Sequence, residues 1–182
     1  LDDRGNTLYE ARPEVAGEDA ERVLDPRNAF LMTSLMRDVV RHGTAARAMS
    51  LGRQDLAGKT GTTNDHIDAW FAGYQSSLVA VAWIGFDTPA PMGANETGGH
   101  AALPMWMTYM SRALKGEPES ELEPPTGVVA VGIDPATGMR EADARSKTIE
   151  YFYQETLPGP GGEAGAGREA ARPPEEVKNQ IF

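Results

Sequence analysis

Residues 55–86 hold three strand-length segments in a row, at 55–63, 68–74 and 78–86. Asn64-Asp65 is a turn signal after the first, and Gln75-Ser76-Ser77 separates the second from the third. Strands joined by connections this short run antiparallel, so the segment predicts a meander. Its third strand, Leu78-Val79-Ala80-Val81-Ala82-Trp83-Ile84, is nearly all apolar, the pattern of a central strand buried on both faces. Such a sheet requires cover from other elements.

Two helices supply cover. Asp25-Pro26 is a helix start, with Asp as N-cap and Pro at the first helical position. Ala29, Met32, Leu35, Met36, Val39 and Val40 follow at helical spacing, and Gly43 stands where a helix-ending glycine belongs. Leu103-Pro104 opens the second helix. Met105, Trp106, Tyr109, Met110, Ala113 and Leu114 share a face, and Gly116 closes it. Helices flanking an antiparallel sheet make an α+β fold.

Outside this region the organisation is looser. Asp3-Arg4-Gly5-Asn6-Thr7 is a turn, Leu8 and Tyr9 suggest a short strand, and residues 16–21 a loop. Residues 117–126 are rich in Pro and Glu and read as a linker. A Val-rich strand at 127–133, a turn at 134–138 and a returning strand at 149–152 follow. From Pro158 the chain is Gly, Pro, Ala, Glu and Arg as far as Pro174, without aromatic or β-branched residues. Such a stretch buries too little apolar surface to offset its ordering entropy, so 158–182 reads as a flexible tail. The expected divisions are therefore 1–116, 117–157 and 158–182.

Charge and composition exclude several functions. With 27 acidic and 17 basic residues the net charge is −10. Nucleic-acid binding, which needs a basic footprint, is not expected. The absence of cysteine excludes a disulfide framework and a thiolate zinc site. Asp65-His66-Ile67-Asp68 offers two carboxylates and an imidazole, but in a turn, and solvated residues are the simpler reading. No metal and no cofactor is expected. The chain opens on Leu1 and has no apolar run of spanning length, which suggests a processed chain or fragment without its own membrane anchor.

The chemistry is concentrated in Lys59-Thr60-Gly61-Thr62-Thr63, one cation and three hydroxyls on five residues. Side chains alternate along a strand, so Thr60 and Thr62 face one way and Lys59 the other. Two hydroxyls on one face can converge on a carboxylate, and Gly61 between them leaves the backbone open. A phosphate-binding loop needs four residues between its first glycine and Gly-Lys-Thr. Here five separate Gly52 from Gly58, and no helix-forming sequence follows. Asp68-Ala69-Trp70-Phe71 reads as a core strand, with Trp70 and Phe71 on opposite faces. Gly43-Thr44-Ala45 reads as a helix exit without chemistry.

K-T-G is the third element of the penicillin-binding-protein and serine β-lactamase signature. With Ala-Gly before it, Thr-Thr-Asn after it and Asp-Ala-Trp-Phe next, the stretch resembles the transpeptidase domain of a class A (bifunctional) penicillin-binding protein. The likeness covers roughly residues 1–157, most strongly 25–115, and the strand pair after 129 resembles the C-terminal extension of bifunctional members. The resemblance implies a peptidoglycan D,D-transpeptidase acting through a serine acyl-enzyme, with stem peptides as substrates and β-lactams as inhibitors. Lys59 would be the catalytic cation that orders the proton network. Thr60, Gly61, Thr62 and Thr63 would bind substrate, with Thr60 and Thr62 on its terminal carboxylate. The Thr62 amide would be an oxyanion donor. Trp70 would support the K-T-G strand. The implied location is the extracytoplasmic (periplasmic) face of the bacterial inner membrane, anchored by a segment outside this chain.

The family signature also needs S-x-x-K and S-x-N. None of the seven serines, Ser34, Ser50, Ser76, Ser77, Ser111, Ser120 and Ser146, has Lys at +3 or Asn at +2. The resemblance therefore implies an incomplete domain, whose serine lies on an upstream segment or a companion chain. A non-catalytic envelope module that keeps the fold is the alternative.

Overall fold

A computed structural model describes residues 3–160, apart from Leu8, Ala11, Pro13, Ala16, Gly17 and 142–147. The expectation of a flexible tail falls almost wholly outside the described residues, as does Leu8 of the expected first strand; Tyr9 lies in no strand. The chain divides into two compact units, Leu1–Val128 and Val129–Phe182.

In the first unit, helix α1 spans Pro26–Arg41. Its N-cap is Asp25, whose Oδ1 accepts a hydrogen bond from the Arg27 amide at 2.8 Å. The chain leaves the helix through Gly43, where only glycine fits. A Cβ there would lie 2.9 Å from the backbone of Val39, while the Gly43 and Ala45 amides both donate to the Val39 carbonyl. A 3-10 turn, Ala46–Leu51, leads to the sheet.

Strands β1 (Ala57–Thr62), β2 (Asp68–Gln75) and β3 (Leu78–Gly85) form the expected antiparallel meander in the order β1-β2-β3. Gln75 pairs with Leu78, so Ser76-Ser77 is a two-residue hairpin loop, and the Gln75 side chain accepts from both serines. Helix α2 (Leu103–Ala113) follows a π-helical turn, Gly98–Ala102. The core lies on one sheet face, where Phe71, Trp106, Leu103, Met110, Val40 and Leu56 are buried together. Phe71 meets Trp106 edge-on at 4.8 Å, and the Trp106 Nε1–H donates to the Ala80 carbonyl at 3.1 Å.

Three expectations about burial are corrected. Strand β3 is an edge strand with one face in solvent: Val79 is 71 % exposed and Val81 58 %, beside exposed Trp83 and Trp70. Its apolar run reflects two faces of different fate, which sequence pattern cannot separate. On α1 the buried positions are Phe30, Arg37 and Val40, whereas Met32 and Leu35 are exposed. On α2 Leu103, Trp106 and Met110 are buried, and Met105 and Tyr109 are exposed. Both helices thus carry a second apolar stripe that the described residues leave uncovered.

Segment 117–126, read as a linker, is held onto the first unit. Arg53 donates to the carbonyls of Glu117 and Pro118, and the Ser120 amide donates to Asp55. Asp55 is buried and pairs with Arg53 through two bonds of 2.9 and 2.7 Å. Burial pushes the Asp55 carboxyl up, but the Arg53 hydrogen bonds, the Ser120 amide and the Arg53 charge outweigh it and hold it below its usual range. A carboxyl depressed in the folded state contributes stability above its unfolded value, about 3.9, and loses it as pH falls through the lower folded value. Arg53→Met leaves a buried carboxylate without its partner and is expected to cost about 3–5 kcal/mol at neutral pH. Denaturant melts should show that deficit shrinking below about pH 4 as Asp55 protonates. A deficit unchanged down to pH 2 would contradict the ion-pair account.

Strands β4 (Val128–Ile133), which begins at the last residue of the first unit, and β5 (Thr148–Tyr153) form a two-stranded sheet. The intervening turn is organised by Asp134, whose carboxylate accepts from the Ala136 amide and the Thr137 hydroxyl.

Candidate active site

The open edge of β1 organises the site. In an antiparallel ladder, alternate residues direct their N–H and C=O towards the neighbour and away from it. Thr63 donates its amide to the Asp68 carbonyl at 3.1 Å, in the same register as Thr62 opposite Ala69. Thr63, Gly61 and Lys59 therefore turn their backbones to β2. Thr62 and Thr60 turn theirs to the open edge, which pairs with no strand among the described residues. The Thr62 amide thus points into the space beside the sheet.

Thr60 and Thr62 share a face, as their spacing predicts. Thr60 Oγ1 lies 2.8 Å from Thr44 Oγ1, and Thr62 Oγ1 accepts the Gly98 amide at 3.0 Å. Gly98 sits so close to the strands that a Cβ would be 2.3 Å from the Trp70 carbonyl oxygen and 2.5 Å from that of Gly61. Only glycine lets the π-helical turn settle on β1 and β2 and deliver this amide. Thr97 accepts the His100 amide and fixes the start of the turn.

Lys59 leaves β1 on the opposite face. Its ammonium nevertheless reaches the open edge, donating to the Thr60 carbonyl at 3.0 Å and to Thr60 Oγ1 at 3.3 Å. The long side chain wraps round its own strand, something alternation alone could not reveal. Thr63 belongs with the Lys59 face and uses its hydroxyl to accept the Asp68 amide at 2.7 Å, closing the turn. Gly61 stands opposite Trp70, whose indole packs on Trp83 with ring centroids 5.9 Å apart. Trp83 in turn donates from Nε1 to Asp68 at 2.9 Å.

Sequence reasoning missed two features. Thr44 joins the site from the exit of α1; its separation of 16 residues from Thr60 carries no periodic signal. Arg37 is buried and lines a cavity of about 320 Å³ with Asp55, Tyr74 and Gln75, at the other end of the sheet from Thr62. Burial, then the nearby Arg41 charge, lowers its affinity for its proton, and its Nε has no hydrogen-bond partner among the described residues. A polar residue on the buried side of α1 was the available signal.

No protein-family model matches the chain. It is 45 % identical over 156 residues to penicillin-binding protein 1A of Pseudomonas aeruginosa, covering 85 % of this chain and 18 % of the relative. It is 50 % identical over 129 residues to penicillin-binding protein 1A of Neisseria lactamica, covering 71 % and 16 %. The crystal structure of penicillin-binding protein 1A from Haemophilus influenzae matches with a TM-score of 0.72 at 36 % identity, covering 78 % of this chain and 22 % of that one. The chain thus spans less than a fifth of the length of the curated relatives it matches. Among the described residues no helix is long and apolar enough to cross a membrane. At these identities, and with an antiparallel sheet flanked by helices in common, this chain is a homologue of part of penicillin-binding protein 1A.

Proposed function

We propose that this chain forms the carboxylate-recognition side of a serine D,D-transpeptidase site that cross-links peptidoglycan stem peptides and reacts with β-lactams. One observation carries the reading. The Thr60 and Thr62 hydroxyls, the Thr62 amide and the Lys59 ammonium all come together at the open edge of β1. That set suits an acyl donor ending in a carboxylate. Thr60 and Thr62 would hold the carboxylate, and the Thr62 N–H would supply one of two oxyanion donors.

In the reaction, a serine oxygen attacks the penultimate D-Ala carbonyl, its proton passing to the departing D-Ala amine as the amide bond breaks. An amino group of a second stem peptide then attacks the ester and releases the serine. Lys59 would hold the proton network around the attacking hydroxyl in place through its charge. The serine itself belongs to an upstream segment or companion chain, because no serine here carries the S-x-x-K lysine. The site would work on the periplasmic face of the inner membrane, where stem peptides are, with the membrane anchor outside this chain.

The test uses the full-length protein and two acylating substrates, one with the terminal carboxylate and one with that group amidated. Thr60→Val and Thr62→Val should each slow acylation by the first about tenfold to a hundredfold, the worth of a charge-assisted hydrogen bond. The amidated substrate should respond far less. Equal losses for both would remove the carboxylate role.

A further inference from the structure

We infer that Thr44, at the exit of α1, is a positioning residue that directs the Thr60 hydroxyl proton towards a bound carboxylate. The inference rests on the reading of β1 as a carboxylate-recognition strand.

A threonine hydroxyl has one proton to give and two lone pairs to receive. The Lys59 ammonium has no lone pair, so at 3.3 Å it can only donate to Thr60 Oγ1. Thr44 Oγ1 and Thr60 Oγ1, 2.8 Å apart, share one further proton. If Thr60 gives it, Thr60 presents only lone pairs to the cleft and repels a carboxylate. If Thr44 gives it, both Thr60 lone pairs are filled, by Lys59 and by Thr44. The single Thr60 proton then has nowhere to go but outward. A carboxylate selects this second arrangement, and Thr44 makes it available without reorganisation.

Thr44 sits between the exit of α1 and the π-helical turn. Gly43 allows the backbone to turn tightly over Val39, and the Ala45 amide returns to the Val39 carbonyl at 3.2 Å. The Thr44 carbonyl lies 3.1 Å from the position a Cβ would take at Gly99, in the same π-helical turn that delivers the Gly98 amide to Thr62. The two hydroxyls of β1 are thus oriented by two different elements, one by a side chain and one by a backbone amide.

The decisive experiment measures second-order acylation rates of the full-length protein with the carboxylate-bearing and amidated substrates. Thr44→Val should slow the first about three- to tenfold, the worth of one neutral hydrogen bond, and leave the second unchanged. Thr44→Ser keeps a hydroxyl and should restore the rate. In a Thr60→Val background, Thr44→Val should add nothing, because its effect passes through Thr60. Two failures are distinguishable. If Thr60→Val discriminates between the substrates and Thr44→Val does not, the positioning role is overturned while the carboxylate reading stands. If Thr60→Val itself fails to discriminate, both fall. An equal loss with both substrates in Thr44→Val, or a Thr44→Ser variant as slow as Thr44→Val, would mark a structural role and also overturn the inference.

Discussion

Replacing Lys59 by alanine is expected to lower penicillin acylation of the full-length protein by two to three orders of magnitude or more, with little change in thermal stability. The asymmetry follows from where the ammonium sits. It is exposed and forms no ion pair among the described residues, so the fold gains little from it. In the proposed reaction it is the cation at the reacting edge, where fixed charge facing a developing one is worth about 10²–10³ in rate. Its contact with Thr60 Oγ1 adds a second route, because losing it frees a Thr60 lone pair and loosens the hydroxyl that recognises substrate. Stopped-flow acylation alongside a melting curve separates the two effects. Normal acylation in the alanine variant would sink the assignment, and a collapsed melting temperature would recast Lys59 as structural.

An effect as large is expected for the isolated chain. A fluorescent penicillin should leave residues 1–182 unlabelled, and on the full-length protein the label should map to a serine outside them. Serine is a weak nucleophile without an adjacent base, and two of the serine hydroxyls are held by amide oxygens, which are not bases. The Ser76 hydroxyl donates to Gln75 at 2.9 Å and that of Ser111 to the Thr108 carbonyl at 2.9 Å, while the Ser120 amide donates to Asp55. Recognition of a carboxylate can persist without attack, which gives no covalent adduct. The outer sheet face, with Trp70, Val79, Val81 and Trp83 exposed, should also make the isolated chain bind hydrophobic dyes and associate. Supplying the missing segment, covalently or as a companion chain, should quench dye binding and restore labelling together. A stable adduct on Ser34, Ser50, Ser76, Ser77, Ser111, Ser120 or Ser146 would refute the proposed division of the site. An upstream segment that restores no labelling would favour a non-catalytic module.

The elements were legible in the sequence because local chemistry specifies them. Asp25-Pro26 starts α1 as its cap chemistry dictates, and the Ser76-Ser77 loop separates β2 from β3 where the alternation breaks. The shared face of Thr60 and Thr62 follows from strand geometry alone. What pattern could not give is which of two apolar faces finds a partner. The Met32 and Leu35 stripe reads as core yet lies exposed, while Arg37 occupies the buried side. Hydrophobicity measures a demand for cover, and only tertiary contacts decide where it is met. The Thr44–Thr60 contact was invisible for a related reason, since it joins two elements through hydroxyls that have no periodicity to betray them.

The parity of β1 constrains how this gene can change. The backbones of Thr62 and Thr60 turn to the open edge because Thr63 is locked to Asp68 across a short connection. A one-residue deletion in 64–67 that is taken up by the ladder rather than by the loop would shift the pairing by a single step. That slip would turn the Thr62 amide in towards β2 and carry its side chain to the other face. A change of two residues would restore both. A change of length here therefore keeps the site only where the loop absorbs it or where it reaches the ladder as an even number of residues.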